Sequence, residues 1–267
     1  MVSTKKNRFG GIARLYGNTT AEYYKSCHVL VIGIGGVGSW AAESLARSGI
    51  GEITLIDLDD ICITNINRQV HAVTTTVNQS KAYIMSRRIK DINPDCKVNI
   101  IDEFVDTKNV AECISTDVDY VIEAIDAAVV KAAIISYCKR SKIPIICIGG
   151  AGGKKDPTVI ERKDLTKTWN DPLLAKVRSQ LRSYFGFSRS KKKPFGVECI
   201  YSPEQPKYPD GKGGTTQDKP DDGGGMDCMT GFGSAAHITA TFAQFAVARV
   251  LERLSKRAHA GACRLRN

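Results

Sequence analysis

Short apolar runs alternate with helix-like patterns through the first half of the chain. The runs that predict strands are 28–33, 52–57, 97–102, 119–125 and 144–148. Between them, apolar side chains recur at i, i+3 and i+4, which predicts helices at 36–48, 79–91, 107–115 and 129–141. Because the strands are apolar almost throughout, we expect them to be buried on both faces of a mostly parallel, doubly wound α/β sheet.

The pattern changes after the glycine-rich residues 149–153. Beyond them the sequence predicts short strands at 158–163 and 196–201, a basic helix at 171–185 and a long closing helix at 233–256. We expect the closing helix to pack on the sheet through Ile238, Phe242, Phe245, Val250 and Leu254. Residues 203–225 carry almost no apolar side chains, which predicts a mobile loop. Residues 8–26 predict an N-terminal arm and a first helix.

A glycine pattern joins the first predicted strand to the helix that follows it. Gly33, Gly35, Gly36 and Gly38 form Gly-x-Gly-Gly-x-Gly, and the second strand ends in Asp57. Gly33 suits the tight turn, and Gly38 lets the helix pack closely on the strand, while the two middle glycines let backbone approach phosphates. An acid about 20 residues beyond such a turn is typical of ribose recognition. The unit is therefore Rossmann-like and predicts nucleotide binding.

A dense polar series follows Asp57 and favours a triphosphate over a dinucleotide. Its members are Asp59, Asn65, Asn67, Arg68, Gln69 and Lys81. Arg68 and Lys81 supply two cations that suit the β- and γ-phosphates. Asp126 follows the strand at 119–125, at the edge of the sheet where open α/β folds bind ligands, and a carboxylate there suits Mg²⁺. The series predicts ATP with Mg²⁺ as the ligand of the glycine turn.

Positive charge is concentrated in one segment. The chain of 267 residues has a formal net charge of +10, and between Lys154 and Lys193 there are 12 Lys and Arg against four carboxylates. A basic surface of this kind indicates a polyanionic partner, most simply nucleic acid, although a solubilising face has the same composition. No apolar run approaches the roughly 20 residues that span a bilayer, and the N-terminus lacks a secretory apolar region. We therefore expect a cytoplasmic protein with no membrane partner.

Taken together, these motifs resemble one family. They are GxGGxG at 33–38, DxDD at 57–60, TNxNRQ at 64–69, Lys81 and AIDA at 124–127. On these residues the chain resembles the ubiquitin-activating-enzyme-like family of ATP-dependent adenylating proteins, the MoeB and ThiF types. Further segments are similar to its tRNA threonylcarbamoyladenosine dehydratase branch, namely RFGGIARLYG at 8–17, INP at 92–94, GGAGG at 149–153, DPL at 171–173 and MDCMTGFGSA at 226–235. The resemblance implies one ThiF-type domain over 1–267, with a nucleotide-binding core at 8–153 and a tRNA-facing extension at 154–267.

The resemblance also implies roles for the polar series. Asp57 binds the ribose hydroxyls, Asp59 is expected at the nucleotide, and Asp126 holds Mg²⁺. The phosphates are contacted by Asn65, Arg68 and Lys81. An arginine from a second protomer, either Arg8 or Arg14, reaches into the site, because members of the family usually work as homodimers.

Cysteine usage separates the chain from part of this family. MoeB and ThiF types commonly carry two C-x-x-C pairs for structural zinc, whereas none of the nine cysteines here has that spacing. The same absence argues for a reducing compartment. Some family members use a catalytic cysteine, and Cys228, in a Gly/Met-rich turn before the closing helix, is the candidate reactive thiol. A packed thiol at a loop–helix junction is the simpler interpretation.

The reaction that the resemblance implies is adenylation of the threonyl carboxylate of threonylcarbamoyladenosine, next to the anticodon of tRNA, followed by ring closure with net loss of water. The basic segment then holds the tRNA backbone through Arg178, Arg182, Arg189, Lys191, Lys192 and Lys193. Tyr184 or Phe185 would suit stacking on a base, although both are more typical of a helix core.

Other functions stay open from the sequence alone. An activator of a ubiquitin-like sulfur carrier would exchange pyrophosphate with ATP in the presence of its carrier and without tRNA. A nicotinamide dehydrogenase would bind NAD and have no role for Lys81. An RNA-binding protein that has lost catalytic activity would not need the intact polar series. A sulfur-trafficking protein is a further candidate partner.

Overall fold

The computed structural model describes residues 8–190, 192–218 and 232–264. Its helices are α1 (Gly10–Tyr16), α2 (Asn18–Tyr24), α3 (Gly38–Arg47), α4 (Lys81–Ile92), α5 (Val110–Cys113), α6 (Ala128–Arg140), α7 (Pro172–Tyr184) and α8 (Ala236–Arg264). Its strands are β1 (His28–Ile32), β2 (Glu52–Ile56), β3 (Lys97–Ile101), β4 (Tyr120–Glu123), β5 (Ile145–Ile148), β6 (Glu161–Asp164), β7 (Glu198–Tyr201), β8 (Tyr208–Pro209) and β9 (Thr215–Thr216). The predicted strands and helices are confirmed, with ends that move by a few residues, and the predicted N-terminal helix is two short ones.

Seven strands form one sheet in the order β3-β2-β1-β4-β5-β7-β6. Neighbours pair in parallel, except that β6 is antiparallel to β7. The order reverses between β1 and β4, so the loops that follow these two strands diverge and leave a crevice at their carboxyl ends. We call this side of the sheet the carboxyl edge and the opposite side the amino edge. The doubly wound prediction is therefore confirmed.

Helices cover both faces of the sheet. One core lies beneath α2, α3, α4 and α8, and the other lies beneath α5, α6 and α7. The central strands are buried on both faces, as predicted, but β3 is half-exposed along its length. That part of the prediction was wrong because β3 is an edge strand with one neighbour.

The closing helix α8 runs antiparallel to the parallel strands. Near its start, Thr239 donates a hydrogen bond to the Arg68 carbonyl at the carboxyl edge, and near its end Arg257 donates to the Asp119 carbonyl at the amino edge. Its buried face consists of Ile238, Phe242, Ala246, Val250 and Leu254, which follow one another at intervals of four residues. Phe245 is 41% exposed, so its predicted place in the core was wrong, because at 100° per residue Ala246 takes that position.

Local signals explain where α4 and α7 begin. Ser80 accepts a hydrogen bond from the Tyr83 amide, which caps α4 and places Lys81 as its first residue. Asp171 accepts from the Leu174 amide at 2.9 Å, and Pro172 occupies the first position of α7. Asp171 also accepts from the Gly150 amide, so α7 starts at the carboxyl edge.

The segment after β7 is more ordered than its composition suggests. β8 and β9 pair antiparallel, and Asp210 closes the hairpin by accepting from the Lys212 and Gly214 amides at 2.8 Å. The predicted loop therefore contains a short hairpin, in which side chain–backbone bonds take the place of apolar contacts, and its mobility stays a prediction. Residues 219–225 lie outside the described part of the chain. Among the helices of the described ranges, none is long and apolar enough to cross a membrane.

Candidate nucleotide-binding site

The glycine turn lies at the switch point between β1 and β4. Gly33 has a φ of 85°, and a Cβ there would lie 2.9 Å from Ile125 Cγ2. A Cβ at Gly38 would collide with the carbonyl oxygen of Gly33. Both glycines are therefore required by the fold itself, as the sequence predicted: one for the turn and one for the close packing of α3 on β1.

The two middle glycines have different tasks. A Cβ at Gly35 would meet only Gln69 Nε2, at 4.0 Å, so its backbone faces open space where a phosphate can approach. A Cβ at Gly36 would lie 3.0 Å from Thr239 Cγ2 and 3.6 Å from Arg68 Cδ. Gly36 is thus needed for packing against α8, which adds a reason that the sequence did not reveal.

Replacing Gly38 by Ala should destabilise the protein by about 2–3 kcal/mol, because the added methyl must displace backbone rather than a flexible side chain. Gly35→Ala is the matched control and should leave the free energy of unfolding nearly unchanged, since its Cβ has room. Urea denaturation of both variants measures the difference. Equal midpoints would show that the turn holds more space around Gly38 than this packing implies.

Asp57 ties the end of β2 to the glycine turn. Its Oδ2 accepts from the Ile34 amide at 2.6 Å and its Oδ1 from the Asp59 amide at 2.9 Å. Burial raises the pKa of Asp57, an effect that nearby Lys81 opposes. Each carboxylate oxygen keeps a second lone pair, so the side chain is free to accept from ribose hydroxyls at the mouth of the turn.

Lys81 is held by an acid of the same series. Its Nζ lies 2.7 Å from Asp59 Oδ2, and its backbone amide donates to the Asp59 carbonyl. Lys81 is only 7% exposed, which the sequence did not reveal. It is buried because the first residue of α4 packs under the loop that carries Asp59. The ammonium group nevertheless contacts the solvent-facing part of the site, because the side chain of its partner Asp59 is half-exposed.

The loop after Asp60 brings Asn65, Arg68 and Gln69 to the crevice. Asn65 is buried and its Oδ1 accepts from the Cys62 amide at 3.1 Å, so part of its role is to cap its own 3₁₀ turn. Arg68 donates to the Thr64 carbonyl at 2.8 Å and stays half-buried. Gln69 is 5% exposed, and its Oε1 has no hydrogen-bond partner among the described residues. A buried amide that lacks a partner beside Gly35 points to a ligand contact.

Asp126 lies in the loop between β4 and α6. The Ala124 amide donates to the Ile32 carbonyl at 2.8 Å, so this loop packs directly on the glycine turn. Asp126 itself is exposed, as the sequence predicted. Beneath it lie two charged residues that the sequence prediction left out, Glu123 and Lys131, both fully buried. Their signal was a glutamate inside an apolar strand and a lysine on the apolar face of the next helix.

The two N-terminal arginines differ in their contacts. Arg8 donates to the Asp91 and Ile92 carbonyls at 3.2 and 2.9 Å, so it closes the end of α4 in its own chain. Arg14 is exposed, and within the described ranges its side chain has no hydrogen bond or ion pair.

Some cations of the basic segment have partners within the fold, and others are exposed. Arg178 donates to Thr168 Oγ1, and Arg182 lies 5.3 Å from the centre of the Phe195 ring, so both guanidinium groups have partners within the fold. Arg189, Lys192 and Lys193 are exposed. Lys191 and Cys228 lie outside the described residues.

The aromatic residues at the end of α7 are not both in the core. Tyr184 is 74% exposed, whereas Phe185 is half-buried. The interpretation of Tyr184 as a core residue was wrong: it is the last residue of α7, and although it follows the buried Val177 by seven residues, its side chain is exposed.

Comparison with known proteins identifies the family of this chain. Residues 11–263 match the model of the ThiF family. The chain is 49% identical to the tRNA threonylcarbamoyladenosine dehydratase of Escherichia coli strain K12, over 95% of both chains, and 50% identical to that of Haemophilus influenzae, over 96% of both. The structure of the Escherichia coli dehydratase in complex with ATP superimposes with a TM-score of 0.86 at 46% identity, covering 97% of this chain and 99% of the other. This chain therefore belongs to the ThiF family, in the group of the tRNA threonylcarbamoyladenosine dehydratases.

Proposed function

We propose that this protein uses ATP to convert threonylcarbamoyladenosine, next to the anticodon of tRNA, into its cyclic form with loss of one water. The observation that carries the proposal is the gathering of Asp57, Arg68, Lys81 and Asp126 around one glycine turn, in a chain similar to dehydratases over nearly its whole length. An adenylating enzyme that acts on a different substrate would contain the same glycine turn. Similarity over the extension after residue 153 favours the tRNA substrate.

Two bond exchanges complete the reaction. In the first, a carboxylate oxygen of the threonyl group attacks the α-phosphorus of ATP, and the bond to pyrophosphate breaks. In the second, a nitrogen or oxygen of the carbamoyl group attacks the activated carbonyl carbon, an N–H proton of the carbamoyl group is lost, and AMP leaves. The nucleophile is tethered within the substrate, where effective molarities on the order of 10⁵ M are attainable, so no protein nucleophile is required. Cys228 has no compulsory task in this route.

The chain's own residues supply charge and position. Arg68 and Lys81 offset the negative charge that develops as pyrophosphate leaves. The open backbone at Gly35 and the start of α3 accept the phosphates, and Asp57 holds the ribose. Each of these groups acts on the nucleotide, and none of them has to form a covalent bond.

Asp126 is the residue that would hold Mg²⁺. The donor set fits, because Mg²⁺ is bound in nucleotide sites by one or two carboxylates together with phosphate oxygens and water. Asp126 is exposed at the carboxyl edge, whereas Asp59 already has Lys81 as its partner. When bound there, Mg²⁺ would neutralise phosphate charge and orient the leaving pyrophosphate.

A second copy of the chain would complete the site. Arg8 is occupied at the end of α4, which leaves Arg14 as the arginine that a partner protomer would offer. Leu15 and Ile63 are exposed apolar side chains, one beside Arg14 and one on the loop of the nucleotide site. Exposed aliphatic residues on both segments support a homodimer in which α1 of one protomer meets the 60s loop of the other.

Part of the tRNA backbone would contact the amino edge of the sheet, while the modified adenosine reaches the ATP site at the carboxyl edge. The Lys139 ammonium donates to the Gly196 carbonyl, which places the end of α6 beside the loop after α7. We define the amino-edge basic surface as Lys139, Lys142, Arg189, Lys192 and Lys193, all exposed. Free cations on neighbouring segments suit a phosphate backbone. Arg178 and Arg182 contribute less than the sequence suggested, because their partners lie within the fold.

Reversing Lys191, Lys192 and Lys193 to Glu should weaken the binding of all tRNAs and raise the Michaelis constant for tRNA. Each lost phosphate contact should lower the salt slope of binding by about 1. The Michaelis constant for ATP should stay unchanged, because the glycine turn lies at the opposite edge. Titrations with tRNA at two salt concentrations measure the slope. Arg87, Lys90 and Lys108, also exposed, give a control triple variant with the same change of charge; equal effects of the two triples would contradict a specific surface.

The function itself is tested with ATP, Mg²⁺ and threonylcarbamoylated tRNA, followed by mass analysis of the nucleosides. The expected result is loss of one water mass from the modified adenosine, with one AMP formed per cyclisation. Exchange of pyrophosphate with ATP that depends on a carrier protein, with no change in tRNA, would instead support the sulfur-carrier alternative.

A further inference from the structure

Glu123 and Lys131 form an ion pair that is wholly inside the protein. The Lys131 Nζ lies 2.5 Å from Glu123 Oε2, and neither side chain is exposed to solvent. Glu123 is the last residue of β4, and Lys131 lies in the first turn of α6. The pair therefore joins the two ends of the loop 124–127, which carries Asp126.

Stability alone does not account for this pair. Taking two charges out of water is costly, and replacing a buried ion pair by apolar residues of similar volume is often neutral or stabilising. The surrounding core is largely apolar, since Ala132, Ile134 and Ile135 on the same helix are fully buried. A buried charge pair in such a place is better explained by the geometry that it imposes on its neighbours.

The ion pair fixes the geometry of the loop 124–127. The second oxygen of the glutamate, Oε1, accepts from the Ile125 amide at 3.0 Å. One carboxylate thus holds the middle of the loop with one oxygen and the start of α6 with the other. Ile125 in turn fills the space under Gly33, where a Cβ would lie only 2.9 Å from its Cγ2. Ile125 thus seats the loop against the glycine turn, and a shift of the loop would move Asp126 relative to that turn.

We propose that Glu123 and Lys131 are a positioning pair, which fixes the loop 124–127 and with it the Asp126 carboxylate relative to the glycine turn. The proposal rests on the proposed function for the role of Asp126, but the placement of the loop can be measured without turnover. The pair touches neither nucleotide nor tRNA, so it acts through Ile125 and Asp126. Hydrogen exchange of the Ile125 amide therefore measures the placement of the loop directly.

The test uses the full-length protein with the pair replaced by apolar residues, Glu123→Leu/Lys131→Met. Hydrogen exchange at residues 124–127 should become faster, because the Ile125 amide loses its acceptor. Turnover should fall by about 10- to 100-fold, the usual effect of losing an outer contact that orients a site. AMP affinity, measured by calorimetry without Mg²⁺, should stay unchanged, because Asp57 and the glycine turn hold the nucleoside. ATP affinity in the presence of Mg²⁺ should fall.

A second ion pair, in which the glutamate is buried and the arginine is partly exposed, provides the control. Glu43 on α3 bonds Arg88 on α4, away from the loop, and Glu43→Leu/Arg88→Met should leave exchange at 124–127 and turnover unchanged. If the first double variant does not fold, the isosteric Glu123→Gln is used, which keeps an acceptor for Ile125 but loses the ion pair with Lys131. Its readouts are turnover and the Mg²⁺ dependence of ATP binding, and both should fall. Wild-type exchange, turnover and Mg²⁺ dependence in the folded variant would overturn the proposal. If the wild-type protein does not modify tRNA, the proposed function is refuted. The exchange data would still show whether Glu123 and Lys131 position the loop.

Discussion

Lys81→Ala is expected to reduce turnover by about 10²- to 10³-fold, the effect of removing one charge that stabilises a transition state. The Lys81 ammonium lies beside Asp59 at the first residue of α4, and in the proposed reaction it offsets the charge of the departing pyrophosphate. The protein should remain folded, because the carboxylate that loses its partner, Asp59, is half-exposed and can be solvated. Single-turnover formation of AMP and pyrophosphate measures the loss.

Lys90→Ala supplies the control for this variant. Lys90 lies on the same helix but is exposed and distant from the crevice, so its removal should change neither turnover nor the unfolding midpoint. If Lys81→Ala kept turnover near that of Lys90→Ala, Lys81 would have a structural role under the 59–60 loop rather than a catalytic one.

Asp126→Ala should also reduce turnover by about 10²-fold or more, because no other exposed carboxylate on the loop after β4 can replace it as a ligand for Mg²⁺. The fold should not change, since the side chain is solvated in the free protein. The diagnostic measurement is a Mg²⁺ titration of ATP binding, in which the wild type should depend on Mg²⁺ and the variant should not.

Asp102→Ala is the matched control for Asp126. Asp102 is likewise an exposed carboxylate directly after a parallel strand, β3, but β2 and β1 separate that strand from β4. Turnover and Mg²⁺ dependence should be normal in this variant. Equal losses in the two variants would show that general negative charge at the carboxyl edge, rather than a defined ligand, supports the reaction.

Much of the site could be predicted because its chemistry is local. The turn that contains Gly33 and Gly38 needs its glycines for reasons of backbone space, and those reasons leave a fixed spacing in the sequence. Alternation of strands and helices likewise fixed which side of the sheet Asp126 would occupy. These features depend on neighbours along the chain, and the sequence states them directly.

Other features depend on neighbours across the fold. A count of Lys and Arg does not show that Arg178 is bound to Thr168 or that Arg182 lies on a ring. Helical periodicity showed that α8 has an apolar face but did not exclude Phe245 from it. The burial of Lys81 was missed because its partner, Asp59, lies on a separate element. Each error concerns a contact between segments far apart in sequence, for which the local pattern carries no signal.

The bond between Lys81 and Asp59 has a consequence for which anions can compete at this site. In the free protein the ammonium already has a carboxylate at 2.7 Å, so an incoming anion must replace that partner or share it. A small ion such as inorganic phosphate brings one anionic group and no nucleoside contacts, and so gains little from the exchange. A triphosphate is anchored at Asp57 and Gly35 as well, which offsets the cost. Inhibitors that mimic only the phosphate end should therefore be poor competitors, and useful ones must also occupy the ribose position.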